Sequence, residues 1–109
     1  MRTVDIHSDC ENLNTLMYKL NIEFKFARRE PDKLLCLIVG YGSNGGSHKI
    51  RNNVIMLLDE YKNSNRIKDY ILGSDIDIFN SKYQSFLGKD KIPVEFKNRV
   101  NPGVILVYL

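Results

Sequence analysis

Two groups of residues in this chain have types and spacing that could carry chemistry. The first is Asp5 and His7, two positions apart in Arg2–His7, a segment that alternates cleanly: Val4 and Ile6 fall on one side of an extended chain, Thr3, Asp5 and His7 on the other. A carboxylate beside an imidazole, whose pKa lies near neutrality, can orient the ring or charge it, and can move protons. The second is Gly40-Tyr41-Gly42-Ser43-Asn44-Gly45-Gly46-Ser47, followed by His48, Lys49 and Arg51. Four glycines among seven residues leave the backbone free to curl and to approach another molecule closely. A glycine-rich turn that runs into a helix start is a recurrent way of presenting N–H groups to an anion.

Lys49 and Arg51 fall in the first turn of that helix, where the positive end of the macrodipole disfavours cations by a few tenths of a kcal/mol each, ~0.3 or more. A docked phosphate would reverse the sign. The combined set suits phosphodiester chemistry: proton transfer by Asp5 and His7, phosphate held by Gly40–Gly45 and the helix-start amides, and charge offset by Lys49 and Arg51. For this the two groups must face one recess. The set requires no metal or cofactor, and one Asp with one His is too sparse a donor set to argue for Mg2+ or any other ion. Plainer readings stand beside each feature. Asp5 and His7 could simply stabilise a strand end, and the glycines could form a surface loop before a solvated basic helix face. Tyr41 could stack on a base or fold over the loop as a lid, and His48 could meet phosphate or only solvent.

The elements that must position these residues follow from periodicity. Leu34-Leu35-Cys36-Leu37-Ile38-Val39 is an unbroken apolar run, as expected of a strand buried on both faces. From His48, the residues Ile50, Val54, Leu57, Leu58 and Tyr61 share one helical face, and Asn63-Ser64-Asn65 should end that helix. Before the run, Ser8 and Glu11 form a capping-box pattern ahead of a stripe of Leu13, Leu16, Met17, Leu20, Phe24 and Ala27 that Pro31 terminates. Arg28 and Arg29 complement the dipole at that helix end. Ile67, Tyr70, Ile71 and Leu72 suggest a third strand closed by Gly73. A short helix is expected from Asp77, lined by Ile78, Phe79, Tyr83, Phe86 and Leu87 and stopped by Gly88; Tyr83 and Phe86 read as core. Lys89 to Asn101 reads as loop. Asn101-Pro102-Gly103 should turn into a final buried strand, Val104–Leu109. The order β-α-β-α-β, then an excursion over 74–102, then β, predicts an α/β two-layer sandwich. Both main helices should cover one face of a four-stranded mixed sheet, and the excursion part of the other face or the edge.

With 109 residues the chain has room for one domain, 1–109. A formal net charge of +3 and a pI of about 8.9 give a modest basic bias compatible with nucleic acid. Cys10 and Cys36 are the only cysteines, and their spacing resembles no zinc set; both read as reduced thiols. No apolar run approaches the ~20 residues a membrane helix requires, and no signal-peptide pattern opens the chain, so no membrane partner and a cytoplasmic location are expected.

Val4-Asp5-Ile6-His7, Gly40-Tyr41-Gly42 and the strand after Asn101-Pro102-Gly103 together resemble the Smr (small MutS-related) domain family across essentially the whole chain. The family's marks are L-D-x-H-G on the first strand, T-G-x-G or H-G-x-G after the second, and an ending of the G-x-x-V-x-L kind. The loop through Lys49-Ile50-Arg51 and the Asp77-Ile78-Phe79 excursion resemble a bacterial stand-alone subgroup with an enlarged segment before the last strand. The resemblance implies a fold similar to the C-terminal domain of bacterial translation initiation factor three. It also implies nucleic-acid binding and, as in several members, endonuclease activity on RNA or DNA. It maps the D-x-H motif onto Asp5 and His7 and the G-x-G motif onto Gly40 and Gly42. Ser8 stands where the family has glycine, Val39 where it has Thr or His, and Ser47 and His48 replace later loop glycines of the subgroup. Those departures keep two alternatives open: a nucleic-acid-binding module without catalysis, or a protein-interaction domain working through 74–102. Some relatives engage the ribosome, which adds it to the expected partners.

Overall fold

The computed structural model describes residues 1–6, 12–40, 48–97 and 101–109. Its elements in chain order are β1 (Arg2–Asp5), α1 (Leu13–Arg28), β2 (Leu34–Ile38), α2 (His48–Asn63), β3 (Asp69–Leu72), α3 (Ser81–Ser85), α4 (Val94–Lys97) and β4 (Val104–Tyr108). The fold is α/β, and its four strands form one mixed sheet in the order β1-β2-β4-β3. β1 runs parallel to β2 with Val4 opposite Leu37 and Asp5 opposite Ile38; β4 lies antiparallel to both β2 and β3.

Alternation along these strands builds two cores. Leu35, Leu37, Ile105 and Val107 point to one face, where they meet the predicted stripes of α1 (Leu16, Leu20, Phe24, Ala27) and α2 (Ile50, Val54, Leu57, Leu58, Tyr61). Leu34, Cys36, Ile71, Val104 and Leu106 point to the other, beneath Ile76, Phe86 and Ile92 of the excursion. The sheet and its two long helices thus make the two-layer sandwich, and the excursion shields the second face. Of the α1 stripe only Leu13 stays largely exposed.

Local chemistry sets the boundaries. Asn12 caps α1, its side chain accepting from the N–H groups of Asn14 at 2.9 Å and Thr15 at 3.3 Å; the capping box at Ser8 and Glu11 lies outside the described residues. α2 ends in the expected cluster, where Asn65 takes φ of 62°, a left-handed position asparagine tolerates at a helix C-terminus. β3 is shorter than the expected third strand: the N–H groups of Arg66 and Ile67 turn back to the Tyr61 carbonyl at 2.8 and 3.3 Å, and pairing begins at Asp69.

The excursion departs from the sequence reading in two ways. No helix forms at Asp77, because Asp77 accepts the Phe79 N–H on its side chain at 3.0 Å and the Asn80 N–H on its carbonyl at 2.9 Å. Asn80 becomes the cap of a single-turn α3, and Ile78, Phe79 and Leu87 are left exposed while Phe86 is buried and Tyr83 half-buried. Gly88 does not end that helix. A Cβ there would lie 3.0 Å from the Tyr108 ring, so its contribution is close approach. The segment expected as loop holds a 3-10 turn at Lys89–Lys91 and then α4 immediately after Pro93. Proline opposes a helix interior but suits a helix start, where its missing N–H has no partner to lose.

Among the described residues no helix is long and apolar enough to cross a membrane.

Candidate nucleic-acid interface

The described residues of the predicted site, Asp5, Gly40, Lys49 and Arg51, lie towards the end of the sheet where β1 and β2 finish and α2 begins. Gly40 lies just past β2 with φ of 71°, in the left-handed region that favours glycine. The N–H groups of Val39 and Gly40 both donate to the Gly103 carbonyl, at 2.9 and 3.2 Å, which ties the end of β2 to the turn before β4. The Gly40 amide is therefore engaged within the chain, and its contribution is to aim the following segment rather than to donate to an anion.

α2 opens at His48 and carries no acidic residue in its first turn. Lys49 is exposed and Arg51 half-buried. The Arg51 Nε is enclosed and has no hydrogen-bond partner among the described residues. An enclosed cationic donor at the positive end of a helix dipole is unfavourable by itself and favourable beside an anion. His7, Tyr41, Gly42, Ser43, Asn44 and Gly45 lie outside the described residues, as does the His48 side chain.

Asp5 is not on the face expected for it. Val4 and Ile6 pack into the core beneath α1 and α2. Asp5, alternating with them and paired to Ile38, is exposed on the opposite face of the sheet. The ladder continues beyond it, the Ile6 N–H donating to the Ile38 carbonyl at 2.9 Å, so the register leaves no freedom to turn Asp5 toward the helices. Asp5 and the α2 start share one end of the sheet but not one face, which corrects the expectation of a common recess for Asp5 and the cations. Apolar alternation alone could have given this result, because the stripes of β1 and α2 must face each other.

None of the predicted site residues lines either of two clefts that the described residues form elsewhere on the sheet. One, of about 670 Å³, follows the edge strand β3 between α2 and the excursion, with Asp59, Lys62, Asp69 and Tyr70 in its wall. Burial, reinforced by a hydrogen bond from the Tyr70 hydroxyl to the Asp59 carboxylate at 2.5 Å, pushes the Tyr70 phenol above its ordinary pKa. The other, of about 570 Å³, lies at the opposite end of the sheet from Gly40, where Lys25, Arg28, Arg66 and Lys68 gather. Sequence reasoning treated Arg28 as a dipole partner only and gave Arg66 and Lys68 no part. They reach Arg28 through the α2–β3 turn, a long-range contact without a local sequence signal. Among the described residues no group of three or more His, Cys, Asp or Glu is placed to hold a metal ion.

A scan against protein-family models finds no match, and neither does comparison with curated proteins or with solved structures.

Proposed function

We propose that this chain is an Smr-type nucleic-acid-binding domain that grips phosphate at the start of α2; the Smr resemblance adds phosphodiester cleavage of RNA or DNA through Asp5 and His7. The observation that carries the binding reading is the first turn of α2: Lys49 and Arg51 sit against the helix dipole with no acidic residue among them, and the Arg51 Nε is enclosed with no hydrogen-bond partner among the described residues. The four-strand, two-helix arrangement and the motif order of the Smr resemblance agree with it. A second reading, binding without cleavage, is favoured by the position of Asp5 on the face away from α2 and by Ser8 and Val39 at the departing motif positions.

The test is incubation of the purified protein with labelled single- and double-stranded RNA and DNA, with and without magnesium. Nicking that disappears in His7→Ala and Asp5→Ala establishes the nuclease; complexes without product at any enzyme concentration establish the second reading. In either case the logarithm of affinity should fall linearly with the logarithm of salt, and neutralising Lys49 or Arg51 should reduce that slope by about 1 each. Affinity that ignores both salt and these substitutions rules out the α2 start as the phosphate contact. It would leave a protein-interaction role for 74–102 as the better account.

A further inference from the structure

The cleft at the far end of the sheet has a composition that the α2 start does not explain. It lies between the last turn of α1 and the turn joining α2 to β3, roughly 20 Å from Arg51 at 1.5 Å of helix rise per residue. Lys25, Arg28, Arg66 and Lys68 line it, and no Asp or Glu side chain does. Three side-chain charges, those of Lys25, Arg28 and Arg66, thus gather at one cleft of a chain whose entire formal net charge is +3, with Lys68 beside them.

Neutral groups hold the two guanidinium heads in position. Arg28 donates through Nη2 to the Arg66 carbonyl at 2.6 Å and lies over the Phe24 ring at 5.8 Å. Arg66 donates through Nη2 to Asn21 Oδ1 at 2.5 Å and lies over the Tyr61 ring at 4.3 Å. Each guanidinium has five N–H donors, so most remain for a ligand, and the Asn65 amide stands beside them. Lys68 lines the cleft with its stem and turns its ammonium toward the Tyr108 ring, 5.1 Å from the centroid.

Helix dipoles offset only part of this charge. The C-terminal ends of α1 and α2 converge here and together supply about one negative unit, roughly half from each. A carboxylate at Leu109, should the chain end there, would supply another. A positive surplus remains in either case, and like charges gathered without a carboxylate are relieved by a bound anion.

We propose that this cleft is a phosphate-binding site, separate from the α2 start, taking adjacent phosphoryl groups on the Arg28 and Arg66 forks with Lys25 as a third cation. Planar guanidinium forks match phosphate oxygens two at a time, which selects phosphoryl groups over simple anions. Those groups can come from a free oligophosphate or from a nucleic-acid backbone. The proposal does not rest on the nucleic-acid reading of the α2 start.

The experiment titrates sodium tripolyphosphate, and in parallel a short labelled single-stranded RNA, into the intact protein at fixed ionic strength. Arg66→Gln and Lys25→Gln are the test variants and Lys97→Gln the control. Lys25 makes none of the hydrogen bonds that hold the arginines, so its variant keeps the test valid if Arg66→Gln fails to fold. Saturable tripolyphosphate binding that weakens about tenfold in Arg66→Gln and about fivefold in Lys25→Gln, but not in Lys97→Gln, supports a site for free oligophosphate. The same losses seen only for RNA support a site for backbone phosphates. Absence of saturable tripolyphosphate binding, with RNA affinity unchanged in both test variants, overturns the proposal; a response to Lys49→Gln alone would then leave the nucleic-acid reading standing. Tripolyphosphate uptake by a protein that binds no RNA or DNA would sustain the cleft and remove that reading.

Discussion

Lys62 places its ammonium 2.9 Å from Oδ1 of Asp69, whose side chain is only 8% exposed. The other carboxylate oxygen, Oδ2, accepts the Leu87 N–H at 3.0 Å. One side chain at the start of β3 therefore ties the last turn of α2 to the sheet edge and to the excursion on the other face.

Removing that carboxylate should be costly. Asp69→Ala leaves the part-buried Leu87 N–H and the Lys62 ammonium without their acceptor, for an expected loss of about 2 kcal/mol in urea unfolding followed by circular dichroism. Lys62→Met should cost less, about 1 kcal/mol or under, because its side chain is half exposed and water replaces the contact. A loss under about 0.5 kcal/mol in Asp69→Ala would show that the excursion is held without this junction.

Gly73 and Gly40 should respond differently to alanine. A Cβ at Gly73 would meet the Asn101 carbonyl oxygen and the Val104 side chain at 2.6 Å, so Gly73→Ala must shift the turn before β4, at about 2 kcal/mol or more. At Gly40 no described residue comes within 4 Å of that position, and the positive φ is what opposes alanine, at about 1 kcal/mol. Denaturant midpoints for the two variants should fall in that order.

The Cys36 thiol should be inert in the folded protein. Burial pushes it up to about 11, far from the range in which a thiolate reacts at neutral pH. In a Cys10→Ser background, alkylation at pH 8 should be slow for the native protein and rapid once urea unfolds it. Equal rates in both states would contradict the burial of β2 beneath the excursion.

Tyr70 should give the fold an alkaline limit. Its phenol is raised in the folded state, so its contribution is complete below the ordinary tyrosine value of about 10 and is lost as pH rises from there through the raised value. Urea midpoints should therefore decline above about pH 10, and more gently in Tyr70→Phe, which has no proton to lose. Identical declines would remove Tyr70 from the effect.

Much of the fold was legible in the chain. The apolar run Leu34–Val39 contains strand β2, the stripe from Ile50 to Tyr61 packs α2 onto the sheet, and Asn101-Pro102-Gly103 turns into β4. Each depends on a period of 2 or 3.6 that backbone geometry imposes locally. The excursion was misread where side chains compete for backbone groups: Asp77 and Asn80 divide the hydrogen bonds that a longer helix would use, and the outcome depends on packing Phe86 beneath the sheet.

The sequence by itself determined the ends of β1, β2 and α2 beside which Asp5, Gly40, Lys49 and Arg51 lie. Strand ends and helix starts are fixed by neighbours a few positions away. Only the tertiary structure decided the engagement of the Gly40 amide by Gly103 and the meeting of Arg28 with Arg66. Sheet register and layer packing couple residues tens of positions apart, and no local pattern in the chain encodes that coupling.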